Sequence, residues 1–205
     1  VIPPAVFFTG DATTIYNSSS RIRPLPTGPW SDPRIAYLHA KTLALDATET
    51  FQKEKKPKFT IVNFMPGYVV DRNELATNLK TLGTGSNRIV VGIISGVVAP
   101  SPSPNGVVHI DDVARIHVEA LDSSKVRGNR DFILSAGVER YDDAEGIVRK
   151  AYPDAVGNGL LELGGSTPTT RMIVDIRETV EVFGEFKTYE EIVKSVAGQY
   201  IELKK

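Results

Sequence analysis

The spacing of hydrophobic positions switches along the chain between a helical and a strand period. From Arg34 to about Lys55, Ala36, Ala40, Leu43, Ala44, Ala47 and Phe51 recur at three- and four-residue intervals, which predicts a helix with one packed face. Asp32-Pro33 marks its start, an N-cap followed by proline at the first helical position, and Lys55-Lys56-Pro57-Lys58 ends it. The run from Phe59 to Phe64 then reads as a short buried strand, stopped at Met65-Pro66-Gly67. A helix followed within a few residues by an apolar, β-branched strand is the pattern of a parallel α/β sheet.

The same reading predicts helices over 73–82 and 87–97, the second very apolar, and a strand over 107–110. Asp111-Asp112 is expected to cap a helix reaching Leu121. A strand over 130–135, a helix over 141–151 and helices over 178–182 and 189–203 complete the list, the last with Ile192, Val193, Val196, Tyr200 and Leu203 on one stripe. Residues 9–33, broken by Pro24, Pro26, Pro29 and Pro33, are expected to be loop. So are the surface segment 100–106 and the irregular stretch 153–170.

Composition narrows the function classes. At 205 residues and 41% hydrophobic, the chain suits one globular unit or a domain with a small appendage. With 24 Lys+Arg against 25 Asp+Glu it gives no electrostatic case for nucleic acid or an anionic membrane. The longest apolar run, Ile89 to Ala99, is interrupted by glycine and serine and falls short of the ~20 residues that span a bilayer. Cysteine is absent, which excludes disulfides, thiolate metal sites and cysteine nucleophiles and fits a cytoplasmic protein. The opening Val1-Ile2-Pro3-Pro4 lacks the pattern of a signal peptide and reads as the tail of a strand entering a proline-rich loop.

Tyr37 and Lys41 stand four residues apart in the first helix, so their side chains share a face. A free phenol ionises near pH ~10, and a neighbouring ammonium favours its anion. A tyrosine in that setting can protonate a carbonyl oxygen while hydride reaches the carbon. The spacing alone is weak, because Tyr-x-x-x-Lys arises by chance in many helices.

The surrounding residues add specificity. Trp30 through Ala44, followed by Phe59 through Val69, resemble the extended short-chain dehydrogenase/reductase family (NAD-dependent epimerase/dehydratase-like), and within it the dihydroflavonol reductase, cinnamoyl-CoA reductase and fungal carbonyl reductase branch. Val107 through His117 resembles a later strand and helix of that family, and Phe183 through Glu191 its closing turn and helix. The resemblance implies the C-terminal part of a Rossmann-like parallel sheet with a smaller substrate-binding α/β region. Residues 1–72 would complete the dinucleotide-binding domain and 73–205 would mainly bind substrate, with 107–137 returning to the main sheet. It further implies reduction of a ketone or aldehyde with NADP (or NAD) as cofactor. Tyr37 would be the proton donor, and Lys41 would assist it and hold a ribose hydroxyl. The turn with Pro66 and Val69 would pack against the nicotinamide, and His39 and Tyr68 would face the substrate, held beside 71–106 and 138–172.

Departures from the family pattern are equally plain. No Gly-x-x-Gly-x-x-Gly turn, the usual pyrophosphate cradle, precedes Tyr37. The family's catalytic serine is expected just upstream of Val1, with Ser18, Ser19 and Ser20 read as polar loop. Met65, Asp71 and Ala40 replace residues more usual at those positions. The three histidines, His39, His109 and His117, are not spaced as ligands, and no metal is expected. Asp142-Asp143 and Glu190-Glu191 read as solvated helix starts. Expected partners are a small carbonyl substrate and either a second copy or a separate nucleotide-binding part. An alternative reading is a non-catalytic binding module that keeps the substrate-side fold, or a non-redox isomerase or lyase on the same scaffold.

Overall fold

The computed structural model describes residues 10–138 and 140–205, so Glu139 and the start of the chain up to Thr9, including Pro3 and Pro4, lie outside the described residues. Strand β1, Asp11–Tyr16, occupies part of the stretch expected to be loop. Helix α1 is Pro33–Lys55. The Asp32 carboxylate accepts from the Arg34 N–H at 2.8 Å, and proline in the first turn lacks only an N–H that the helix would leave unbonded. Lys56 ends the helix in the left-handed region at φ 43°, behind Lys53 and Lys55 in the last turn, where the helix dipole favours cations.

The next strand, β2, is Val62–Pro66 rather than 59–64. The shift has a cause: the Ile61 N–H donates to the Asn129 side chain at 2.8 Å, outside any ladder. Strand β3, Tyr68–Val69, follows after Gly67. The helix expected over 73–82 shrinks to α2, Leu79–Leu82. Gln199 is responsible upstream, since its amide accepts from the Asn73 N–H at 2.7 Å and donates to the Asn73 carbonyl at 2.8 Å. Asn78 and Thr81 then form a capping box that starts the short helix. A single 3₁₀ turn, Gly85–Asn87, leads into α3, Arg88–Ile94.

Ser103–Pro104 is strand β4, buried rather than a surface loop. Strand β5 is Val107–Val108, α4 is Ile110–Glu119, β6 is Arg130–Leu134 and α5 is Asp143–Ala151. Within the stretch expected to be irregular lie α6, Pro153–Gly157, and β7, Thr169–Thr170. Strand β8, Met172–Val174, and helices α7, Arg177–Phe183, and α8, Tyr189–Lys204, close the chain.

Among the described residues the strand pairings are all parallel: β1 with β8, β2 with β6, β3 with β5, and β4 with β7. Gly67 joins two of these ladders, its N–H donating to the Leu134 carbonyl and the next N–H, of Tyr68, to the Gly106 carbonyl, both at 2.9 Å. One core lies among α3, α5 and α8, with Ile93, Val148 and Val196 fully buried. A second lies on β5 and β6, where Phe132 packs edge-on against Phe183 at 5.0 Å. On α1, only Thr42 and Leu45 are buried. The expected packed face fails there: Ala40, Ala44, Ala47 and Phe51 are exposed, because no described element covers them. Among the described residues, no helix is long and apolar enough to cross a membrane.

Candidate active site

Tyr37 projects from α1 with 61% of its surface exposed. One turn on, the Lys41 ammonium lies over its ring, 5.6 Å from the centroid. On the other side of the helix Thr42 is buried, its hydroxyl donating to the Leu38 carbonyl at 3.0 Å, and Leu45 sits a turn below. Tyr37 and Lys41 are both exposed. The carboxyl of the capping Asp32 is pulled down to about 2 by hydrogen bonds from Arg34.

Pro66 ends β2 at the surface, and the chain turns through Gly67 into β3. Successive strand residues point to opposite faces, which divides Tyr68 from Val69. Tyr68 packs against the first core and Val69 against the second. Burial raises the Tyr68 phenol above its ordinary range, with the Arg88 charge and the Ser103 hydroxyl pulling it down and the nearby Tyr37 phenol adding to the rise. The Tyr37 phenol thus lies within electrostatic reach of Tyr68. Behind Tyr68, the Tyr141 hydroxyl donates to the Pro104 carbonyl and the Tyr189 hydroxyl to the Tyr141 carbonyl, while burial raises both phenols.

The other singled-out side chains have separate roles. His39 turns to Trp30, ring edge to face at 4.9 Å, with its Nδ1 buried and unbonded. His117 bonds the Val113 carbonyl through Nδ1 at 2.7 Å and lies against Phe64. His109, not Asp111-Asp112, caps α4, its Nδ1 accepting from the Asp111 N–H at 3.1 Å. Asp112 is instead buried, accepting from the Lys187 N–H at 2.7 Å and from Arg115 at 3.1 Å. Asp142 is likewise not merely a solvated helix start, since it accepts from the Thr167 N–H and the Ser166 hydroxyl, both at 2.8 Å. The Ser18 hydroxyl is committed to Glu178 at 2.8 Å, and Ser20 accepts from the Asn17 N–H at 3.0 Å.

A cleft of about 970 Å³ opens on the Val69 side of the turn, lined in part by Asp71, Asn87, His109, Asp111 and Lys187, and Tyr37 is not among its walls. The sequence contained one sign of it, the unusual Asp71, but nothing local tied that residue to His109.

No family model matches the chain. Ketoreductase CTB6 of Cercospora nicotianae is 36% identical over 208 residues, 98% of this chain and 57% of that protein. NAD-dependent epimerase/dehydratase FUM13 of Gibberella moniliformis is 35% identical over 136 residues, 58% of this chain and 36% of that protein. Gre2 from Candida albicans, solved in complex with NADPH, superposes with a TM-score of 0.73 at 20% identity, over 98% of this chain and 62% of its own. That likeness shows a shared Rossmann-like α/β fold. The chain spans just over half the length of Ketoreductase CTB6.

Proposed function

The chain belongs to the extended short-chain dehydrogenase/reductase family, and on that premise we propose that it carries the active-site helix and substrate side of an NAD(P)H-dependent reductase of ketones or aldehydes. The observation that carries this reading is the exposed Tyr37–Lys41 pair, with the ammonium over the ring and the Tyr37 phenol within electrostatic reach of Tyr68.

The fit to a dinucleotide is at its nicotinamide end. Among the described residues the Lys41 ammonium forms no ion pair, which leaves its donors available to a ribose hydroxyl. Pro66, exposed at the end of a parallel strand, and Val69 beyond it offer backbone and apolar surface where α/β sheets hold such ligands. When bound, the cofactor would supply the hydride for the carbonyl carbon. Tyr37 donates its phenolic proton to the carbonyl oxygen, and Lys41 offsets the charge left on the ring oxygen. Tyr68, half-buried and next to Ser103, limits where the substrate can lie, and 71–106 and 138–172 contribute the rest of its surroundings.

The test is Tyr37→Phe in the natural protein, assayed with NADPH and a panel of ketones and aldehydes. Turnover should fall by on the order of 10²-fold or more, while NADPH binding, followed through Trp30 fluorescence, stays essentially unchanged. Retained turnover overturns the assignment.

A further inference from the structure

The Val69-side cleft contains a cluster that the reductase reading does not use. Asp71 Oδ2 lies 3.2 Å from His109 Nδ1, and Asp111 Oδ2 lies 3.8 Å from the same nitrogen. One ligand atom from each of the three residues falls within 4.8 Å of the others. Asp71 and His109 are more than nine-tenths buried, while Asp111 faces the cleft.

The hydrogen bonds there do not close. His109 Nδ1 is the acceptor for the Asp111 N–H, so its lone pair is engaged and it has no proton to give Asp71. If the proton were on Nδ1, the Asp111 N–H would lose its acceptor at the helix start. Either way one of the two, the Asp71 oxygen or the Asp111 N–H, is left without its partner. The second oxygen, Asp71 Oδ1, is also buried and has no hydrogen-bond partner among the described residues. A buried, unsatisfied carboxylate is costly, and a cation is one of its few adequate partners.

The scaffold holds these atoms in place. The Asp71 backbone is clamped by Asn87, whose side chain accepts from the Asp71 N–H at 3.1 Å and donates to the Asp71 carbonyl at 2.6 Å. His109 follows the fully buried Val108, and Asp111 starts α4. Tetrahedral coordination with bonds of about 2.1 Å spaces ligand atoms about 3.4 Å apart, which the observed 3.2 and 3.8 Å bracket.

We propose that Asp71, His109 and Asp111 form a binding site for a divalent transition-metal ion of the zinc type, which takes the His109 Nδ1 lone pair in place of the Asp111 N–H, with cleft water completing its coordination. One imidazole with two carboxylates is the ligand chemistry of such ions. Lys187 is the built-in competitor: its ammonium bonds Asp111 at 2.5 Å and must swing away when the ion enters. The ion would tie the turn after β3 to the start of α4 and release Lys187, in the segment before α8, from Asp111.

The experiment is calorimetric titration of zinc chloride into tag-free, chelator-treated protein, with cobalt(II) absorption as a readout of coordination. One saturable site is expected. Asp71→Asn and His109→Asn should each weaken it by ~10-fold or more, and asparagine at 109 keeps a good helix cap. Lys187→Gln should tighten it, and His39→Asn should leave it unchanged. Absence of saturable binding at millimolar zinc overturns the proposal, as does binding that survives both ligand substitutions. If circular dichroism shows that neither ligand variant folds, the Lys187→Gln titration decides, and an unaltered affinity there overturns it too.

Discussion

The Lys41 ammonium stands 5.6 Å from the centre of the Tyr37 ring, a spacing produced by one turn of α1. In the proposed reaction that ammonium has two duties, offsetting charge on the phenolic oxygen and bonding a ribose hydroxyl. Lys41→Met removes both. Its kcat/KM should fall by on the order of 10²-fold, and unlike Tyr37→Phe it should also weaken NADPH binding. Steady-state kinetics with a Trp30 fluorescence titration distinguishes the two variants.

The N-cap of the same helix should show in acid. The Asp32 carboxyl is held at about 2 in the folded chain, chiefly by Arg34, against about 4 for a free aspartate. A depressed carboxyl contributes its stability fully above the unfolded value and loses it as pH falls through the folded one. Asp32→Asn keeps the cap acceptor and removes the charge. The wild-type chain should therefore have the higher Tm near neutrality, and the gap should close between about pH 4 and about pH 2.

Gly67 is where β2 hands over to β3. A Cβ there would lie 2.7 Å from both the carbonyl carbon and the oxygen of Gly106. Those are backbone atoms and cannot rotate aside, so Gly67→Ala must push the β3–β5 pair apart. A loss of about 1–3 kcal/mol is expected, read as a lower urea midpoint at unchanged slope. Because Tyr68 is the next residue, substrate KM should rise as well.

Phe132 tests the second core. It is fully buried between Phe64, at 6.1 Å, and Phe183, at 5.0 Å. Phe132→Ala should cost about 3–5 kcal/mol by chemical denaturation. The zinc affinity of the Val69-side cleft should then be measured on the folded fraction, since Val108 shares this core with Phe132.

Features governed by neighbours in sequence were legible from sequence. Asp32-Pro33 starts α1 because a cap and a proline act within one turn, and Tyr37 meets Lys41 because helical period alone brings them together. The Thr188–Glu191 capping box that opens α8 is equally local, yet from sequence Glu191 reads only as a solvated helix start, whereas its carboxylate accepts from the Thr188 N–H. The parallel character of the sheet was readable from the α1-to-β2 succession.

What only the tertiary structure decided involves partners distant along the chain. Ser103–Pro104 looks like loop until Thr169–Thr170 pairs with it, and 73–78 looks helical until Gln199 takes up the Asn73 backbone groups. The alanine-rich face of α1 has the period of a packed surface, yet burial depends on what lies opposite, and no described element covers it. Tyr68 and Val69 are adjacent in sequence but serve opposite faces of the strand, one packed on the first core and the other on the second core and the cleft. Asp71, His109 and Asp111 converge only because β3 and β5 run side by side and in parallel, so that their carboxyl ends deliver these residues to one place. Periodicity acts over a few residues and sets the elements. Contacts between distant segments, driven by burial and hydrogen-bond satisfaction, set which side chains share a site.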